Sequence, residues 1–351
     1  MMDMTKGLAA FGWSQHFNAQ LDPAESAGLT PARVIAVHRD GLEVAAPGFS
    51  GRVAHISDAA DEEGMATVGD FVLVDPETRR TPRLLARKSL FKRRAAGTGR
   101  RIQLLAANVD TLFIVTSCNQ DFNVARLERY LALAREAGVM PVLLLTKADL
   151  ATDTAEFEQA AVRLMPGLVV VSLDARDPEA AGRLAPWCGP GQTVALLGSS
   201  GVGKSTLVNT LAGERQAVAG IRESDAHGRH TTTGRSMHRL ASDGWLIDTP
   251  GMRELQLADL EFGLGEVFAD IEAAAVHCRF ANCRHESEPG CAVQAAIASG
   301  EIEADRLVRF RKLLSEDTRN SASIHERRRK DRGFGKMTRE ATRLKKRRWD
   351  P

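Results

Sequence analysis

Residues 198–206 read Gly198-Ser199-Ser200-Gly201-Val202-Gly203-Lys204-Ser205-Thr206. This is the full spacing of a phosphate loop, two glycines bracketing four residues and followed by Lys-Ser. An apolar strand, Thr193 to Leu197, runs into it, and a helix over Thr206 to Leu211 is expected to leave it. The glycines let backbone N–H groups curl around phosphate oxygens, and the helix N-terminus adds a favourable dipole. Lys204 then reaches the terminal phosphates, and the Ser205 hydroxyl can ligate Mg2+. Working outward, apolar strands at Thr111 to Thr116, Val142 to Leu145 and Leu168 to Val171 alternate with helical stretches. One stretch carries Leu127, Tyr130, Leu131 and Ala134 and stops at Gly138; the other lies around Ala155 to Leu164. The alternation predicts an α/β domain whose parallel sheet is covered by helices on both faces.

The base is read from Thr146-Lys147-Ala148-Asp149, which follows the strand Val142 to Leu145. A carboxylate there accepts the two N–H donors on guanine's Watson–Crick edge, a pair that adenine lacks. Asp149 therefore selects guanine, and GTP and GDP are the expected ligands. Ser172, after the strand Val169 to Val171, fits the backbone element that touches the guanine carbonyl oxygen. Asp248-Thr249-Pro250-Gly251 ends another short strand, Trp245 to Ile247. From that position Asp248 reaches Mg2+ through a water, and the Gly251 amide meets the γ-phosphate. Between the loop and this strand lies Gly228-Arg229-His230-Thr231-Thr232-Thr233-Gly234, after a polar stretch from Gly213. It reads as a switch, ordered by triphosphate and Mg2+ and released on hydrolysis. Thr232 is expected to complete the Mg2+ shell, with Thr233 the alternative. Met252 stands where many GTPases place a Gln that orients the attacking water, and a thioether cannot do that. His230 is the candidate catalytic residue, because an imidazole nitrogen can hold a water. A histidine that only packs the switch is the alternative.

On either side of this domain the texture changes. Arg33 to His38, Leu42 to Ala45, Gly51 to Ile56 and Val68 to Asp75 read as short strands joined by turns. They predict a small barrel of the OB-fold type, preceded by an irregular, mobile arm over residues 1–32. Downstream, Cys278, Cys283, His285 and Cys291 form Cys-x4-Cys-x-His-x5-Cys. Three thiolates and one imidazole suit tetrahedral Zn2+ and leave no open position for catalysis, so a structural ion is expected. His277 is an alternative ligand, whereas Cys118 and Cys188 read as ordinary buried thiols. Ile302, Leu307, Phe310 and Leu314 trace one apolar helix face, and a basic segment, helical or disordered, ends the chain. The expected map is an arm (1–32), a barrel with a basic segment (33–100), a GTPase domain (101–265), a mostly α zinc-binding module (266–318) and a basic tail (319–351).

Composition narrows the function classes. The 351 residues are 43% apolar and 26% charged, values of a folded, soluble chain. No apolar run approaches the roughly 18 residues a membrane helix needs. Met1 to Gln20 lacks the charged flank and apolar stretch of a signal peptide. Five cysteines do not make a disulfide scaffold, so a cytoplasmic protein without a membrane partner is expected. The net charge of +2 conceals a cancellation: Arg79 to Arg101 has ten Lys and Arg and no acid, and Glu326 to Pro351 has twelve against four acids. An otherwise acidic body with two basic patches suits a polyanion such as RNA, the alternative being a solvated loop and a frayed tail.

In ordinary small GTPases the phosphate loop and switches precede the guanine-reading elements. Here residues 146–149 and Ser172 come first, which is a circularly permuted order. With the barrel, the Gly-Arg-His-Thr-Thr-Thr string and the Cys/His cluster, residues 33–295 resemble the bacterial ribosome small subunit-dependent GTPase A family. Thr146 stands where Asn is common, and the arm and tail match less clearly. The resemblance implies hydrolysis of GTP to GDP and phosphate, stimulated by the small (30S) subunit during its late maturation. Contact with 16S rRNA is implied with it, and nothing in the sequence demands more than a monomer. The family also favours His230 as the catalytic residue and His285 over His277 as the zinc ligand. Two other readings fit the same residues: a GTPase regulating a protein or membrane partner, and an RNA-binding scaffold in which GTP only stabilises the fold.

Overall fold

The short strands toward the start of the chain are β1 (Thr30–Val37), β2 (Leu42–Ala46), β3 (Phe49–Val53), β4 (Phe71–Val74) and β5 (Arg83–Leu84). β2 alternates buried and half-buried positions, whereas β4 is buried throughout. In the computed structural model, which describes residues 7–22, 24, 26–56, 64–94, 102–213, 235–248 and 260–318, every pairing among these strands is antiparallel. β1 lies between β2 and β4, β2 pairs with β3, and β4 with β5, giving a partly open barrel. Val34, Leu42, Val44, Phe71 and Leu73 fill it. Residues 68–70, read above as strand, form a tight approach instead. Gly69 has φ +90°, and a Cβ there would stand 2.0 Å from the Ala107 carbonyl oxygen.

Within residues 1–32, expected to be a mobile arm, the described residues 7–22 are instead packed against the barrel. A 3-10 turn at Leu8–Phe11 and the short helix α1 (Gln15–Asn18) deliver Leu8, Trp13 and Phe17 into the barrel core. Phe17 is fully buried with its ring 4.4 Å from that of Phe71, and Trp13 meets Phe71 edge-on at 5.1 Å. Burying each such side chain is worth about 1.5–3 kcal/mol, which holds a segment with little regular structure of its own.

After β6 (Leu90–Arg94) and β7 (Ile102–Ala107), an antiparallel hairpin, the chain enters the α/β region. Its parallel strands are β8 (Thr111–Ser117), β9 (Met140–Thr146), β10 (Val169–Ser172) and β11 (Thr193–Gly198). β8 is buried at all seven positions, as a strand covered on both faces must be. Helices α2 (Val124–Glu136), α3 (Ala155–Val162), α4 (Glu179–Cys188) and α5 (Lys204–Ala212) make the crossovers. Asn123 caps α2, accepting the Arg126 N–H at 2.9 Å. β12 (Arg235–Arg239) and β13 (Trp245–Asp248) complete the sheet, β13 parallel to β11 and β12 antiparallel to β13.

Barrel and α/β region share this sheet. The order is β10-β9-β8-β11-β13-β12-β1-β2-β3, with β12 pairing to β1 through Ala36–Ser236 and Val37–Arg235. At the junction Arg33 is buried, and its guanidinium donates to the carbonyls of Phe11 (2.5 Å), Gly69 (3.3 Å) and Asn108 (3.1 Å). Burial pulls its pKa down to about 10, so it remains a cation at neutral pH. Beside it the buried Asp70 takes two bonds of 2.8 Å from Arg87. Trp245 Nε1 donates to Ala10 O at 2.8 Å, which ties the N-terminal segment to β13 as well.

The chain divides into two compact units, Met1–Gln256 and Leu257–Pro351, whereas 265/266 was the expected end of the GTPase domain. The second unit holds α6 (Glu261–Val267), α7 (Ala269–Ala275), α8 (Ala292–Ser299) and a helix at 304–318. That last helix buries Leu307, Phe310 and Leu313, while Leu314, expected on the apolar face, is exposed. Ile302 precedes the helix, so it does not set the phase of that face. Arg306 crosses the packed face to Asp270 at 2.7 Å.

Candidate functional site

The phosphate loop sits where the end of β11 meets α5, at the C-terminal edge of the parallel strands, which is where open α/β sheets bind ligands. Two glycines are required for different reasons. A Cβ on Gly198 would come within 2.3 Å of the Val115 carbonyl oxygen, and Gly203, with φ +95°, is the N-cap of α5. Ser199 and Ser200 form the crest of the loop, Gly201 has φ +80°, and Val202 is buried in the core. Lys204, Ser205 and Thr206 make up the first turn of α5, and the Lys204 ammonium donates to the Ser199 carbonyl.

The guanine-reading segment lies against this loop. Thr146 ends β9, fully buried, and its one hydroxyl hydrogen faces two carbonyls, Val202 O at 2.6 Å and Thr116 O at 3.0 Å. The threonine found where Asn is common thus joins the base-reading strand to the phosphate loop. Lys147 takes a left-handed conformation (φ +57°) that opens a 3-10 turn, Ala148–Leu150, carrying Asp149. Among the described residues the Asp149 carboxylate has one partner, Arg176, at 2.7 Å. Ser172 ends β10 beside β9, with its hydroxyl given to Glu158 at 2.5 Å and its carbonyl accepting from Arg183 at 2.7 Å. Arg176, Arg183 and Glu158 belong to no motif in the sequence; the signal for Arg176 is its place in the loop after Ser172, between Asp174 and Asp177.

Asp248 ends β13, at the same edge of the sheet as the phosphate loop. His230, Thr232, Thr233 and Gly251 lie outside the described residues, as do Met252 and the basic tail at 319–351. The basic stretch at 79–101 is described up to residue 94, and part of its charge is used inside the fold. Arg87 binds the buried Asp70, Lys88 pairs with Asp110 at 3.2 Å, and Arg93 donates to Gln103 at 2.8 Å. Arg79 and Arg80 are exposed.

In the second unit the Sγ atoms of Cys278, Cys283 and Cys291 and a ring nitrogen of His285 lie within 4.8 Å of one another. Cys278 Sγ is 3.9 Å from Cys291 Sγ, and His285 Nδ1 is 3.6 Å from the first and 3.5 Å from the second. A tetrahedral Zn2+ with bonds of about 2.3 Å to sulfur and 2.0–2.1 Å to nitrogen has donor–donor edges of about 3.5–3.8 Å, so the donor set fits. His277 is not part of this group. The loop is shaped by Glu288, which accepts the backbone N–H groups of Arg284, Glu286 and Ser287; these bonds hold its carboxyl at about 2. Gln294 donates to the His285 carbonyl at 2.6 Å. By contrast Cys188 is isolated, its thiol pushed up to about 12 by burial, and burial with the nearby Glu158 charge raises Cys118. No helix among the described residues is long and apolar enough to cross a membrane.

A family model described as RsgA GTPase matches residues 84–258. Relatives named small ribosomal subunit biogenesis GTPase RsgA include one from Mesorhizobium japonicum, 54% identical over 90% of this chain and 91% of its own. One from Vibrio parahaemolyticus, named RsgA 2, is 50% identical over 97% of this chain and 94% of its own. Among solved structures, YjeQ from Thermotoga maritima matches with TM-score 0.60 at 22% identity, covering 82% of this chain and 97% of that one. YloQ, described as a circularly permuted GTPase, matches with TM-score 0.58 at 22% identity, covering 86% and 99%. These two likenesses concern the fold.

Proposed function

Because this chain belongs to the RsgA GTPase family, we propose that it hydrolyses GTP to GDP and phosphate on the small ribosomal subunit during its late maturation. The observation that carries the nucleotide reading is the Thr146 hydroxyl against Val202 O, which holds the guanine-reading segment and the phosphate loop as one cradle. The relatives' printed names support the small subunit as partner.

In this reading residues Gly198 to Thr206 wrap the phosphates, with Lys204 released from the Ser199 carbonyl to the terminal phosphates. Asp149 reads the guanine edge, Lys147 and Thr146 shape the turn that carries it, and the backbone at Ser172 meets the base carbonyl. Gly251 contacts the γ-phosphate through its amide. Ser205, Thr232 and Asp248 offer the oxygen donors that Mg2+ prefers, and the ion neutralises charge on the β- and γ-phosphates. Phosphoryl transfer to water asks mainly for in-line positioning and charge stabilisation, and His230 holds the attacking water in place of a glutamine. Cys278, Cys283, His285 and Cys291 hold one structural Zn2+. The barrel and the basic segments contact 16S rRNA, and the protein acts as a cytoplasmic monomer.

GTP turnover measured with and without purified 30S subunits tests the reading, comparing wild type with His230→Ala and Lys204→Ala. The subunit should stimulate the wild type, and His230→Ala should lose about 10²-fold or more of that rate, the lower range for a positioned acid–base group. Lys204→Ala should bind and turn over GTP poorly in either condition. Absence of stimulation in the wild type sinks the ribosomal assignment, and full stimulation in His230→Ala sinks the role of that histidine.

A further inference from the structure

Side chains outside the motifs hold the residues proposed to read the base. Among the described residues, Asp149 is held by nothing except Arg176. Ser172, the neighbouring hydroxyl on β10, is committed to Glu158. Arg176 is itself anchored before it reaches Asp149: its backbone N–H donates to Asp174 Oδ1 at 2.9 Å, Nε to the same oxygen at 3.1 Å, and a terminal nitrogen to Asp174 Oδ2 at 3.0 Å. The loop carrying it is pinned to the phosphate-loop helix, because Thr210 on α5 donates to Ala175 O at 2.7 Å and Ala175 is buried.

A guanine edge presents two donors and needs both carboxylate oxygens in one plane. A carboxylate on an exposed 3-10 turn rotates freely unless something fixes it. The two oxygens offer about four acceptor sites, so one bond from Arg176 leaves enough capacity for N1–H and the exocyclic amine. We propose that Arg176 is a specificity-determining positioning residue: held by Asp174 and by α5, it fixes the Asp149 carboxylate so that both oxygens face guanine. The inference rests on the reading of Asp149 given above. Guanine is then recognised by a pair, one residue touching the base and the other holding the first in place.

The test is equilibrium binding of GDP, IDP and XDP to the full chain carrying Arg176→Ala, Arg176→Lys, Asp149→Asn, or Asp149→Asn with Arg176→Ala. IDP lacks the exocyclic amine, so it relies on one carboxylate contact instead of two. Arg176→Ala should weaken GDP about fivefold, the upper range for an exposed ion pair. IDP should be weakened less, lowering the GDP/IDP ratio, and Arg176→Lys should recover part of the loss. Asp149→Asn should shift preference from GDP to XDP, because Asn presents one donor and one acceptor to xanthine's N1–H and carbonyl. On that background Arg176→Ala should change XDP binding little. An unchanged GDP/IDP ratio in Arg176→Ala overturns the proposal while leaving the guanine reading standing. Tighter GDP binding overturns it too, by making Arg176 a plug. Failure of Asp149→Asn to shift preference overturns the guanine reading and the proposal together.

Discussion

Thr146 shows how a departure from a motif keeps its function by other atoms. Its hydroxyl hydrogen is shared between Val202 O and Thr116 O at a buried strand end. Thr146→Val keeps the shape and removes that hydrogen. The substitution should cost about 1–3 kcal/mol, the range for a buried acceptor left unpaired, while Thr146→Ser should keep most of the stability. Urea denaturation of both variants, followed by GDP titration, checks it; a Val variant as stable and as tight-binding as wild type refutes it. At this scale the sequence is legible where chemistry has a fixed spacing. The phosphate loop is recognisable within nine residues and the Cys/His cluster within fourteen. Arg176 is not, because a positioning residue is defined by what it touches, and Asp149 is 27 positions away.

At the scale of elements, buried parallel strands were legible because an unbroken apolar run has few other readings. The sequence does not signal the α4 helix: Gly182 and Pro186 interrupt Glu179–Cys188, and Pro186 has no N–H to give to the carbonyl four residues back. β12 escaped notice as well, since Arg235-Ser236-Met237-His238-Arg239 buries Met237 alone. The segment before β1 looks irregular in sequence because its three apolar anchors, Leu8, Trp13 and Phe17, follow no single period. Its attachment depends on Arg33, whose guanidinium gathers carbonyls from the N-terminal segment, the turn before β4 and the approach to β8. Arg33→Met should destabilise this unit by about 1–3 kcal/mol for each buried carbonyl left without a donor. Arg33→Lys should not rescue it, because an ammonium cannot span three separated carbonyls. Chemical denaturation followed by Trp fluorescence reads the loss; a Lys variant with wild-type stability would contradict the geometry.

The whole molecule is built from two units with different sources of stability. The first has a continuous sheet and a large apolar core. The second is small, and its loop from 278 to 291 is gathered on three thiols and an imidazole. Stripping the metal with a strong chelator should loosen the second unit while GDP binding by the first persists. Alkylation read by mass spectrometry should then label Cys278, Cys283 and Cys291, whereas Cys188, its thiol raised to about 12, and the buried Cys118 stay unlabelled until the first unit unfolds. Equal labelling of all five would contradict this division. The pairing of β1 with β12 bears on how the chain is made. β1 pairs early with β2 and β4, yet its contact with β12, at Ala36 and Val37, waits for a strand about 200 residues later, a separation that slows folding because the closure entropy precedes the contact. The end of β1 at Ala36 and Val37 therefore waits for its partner until almost the whole nucleotide-binding region has been translated. That junction can close only after the region it joins to the barrel has been made.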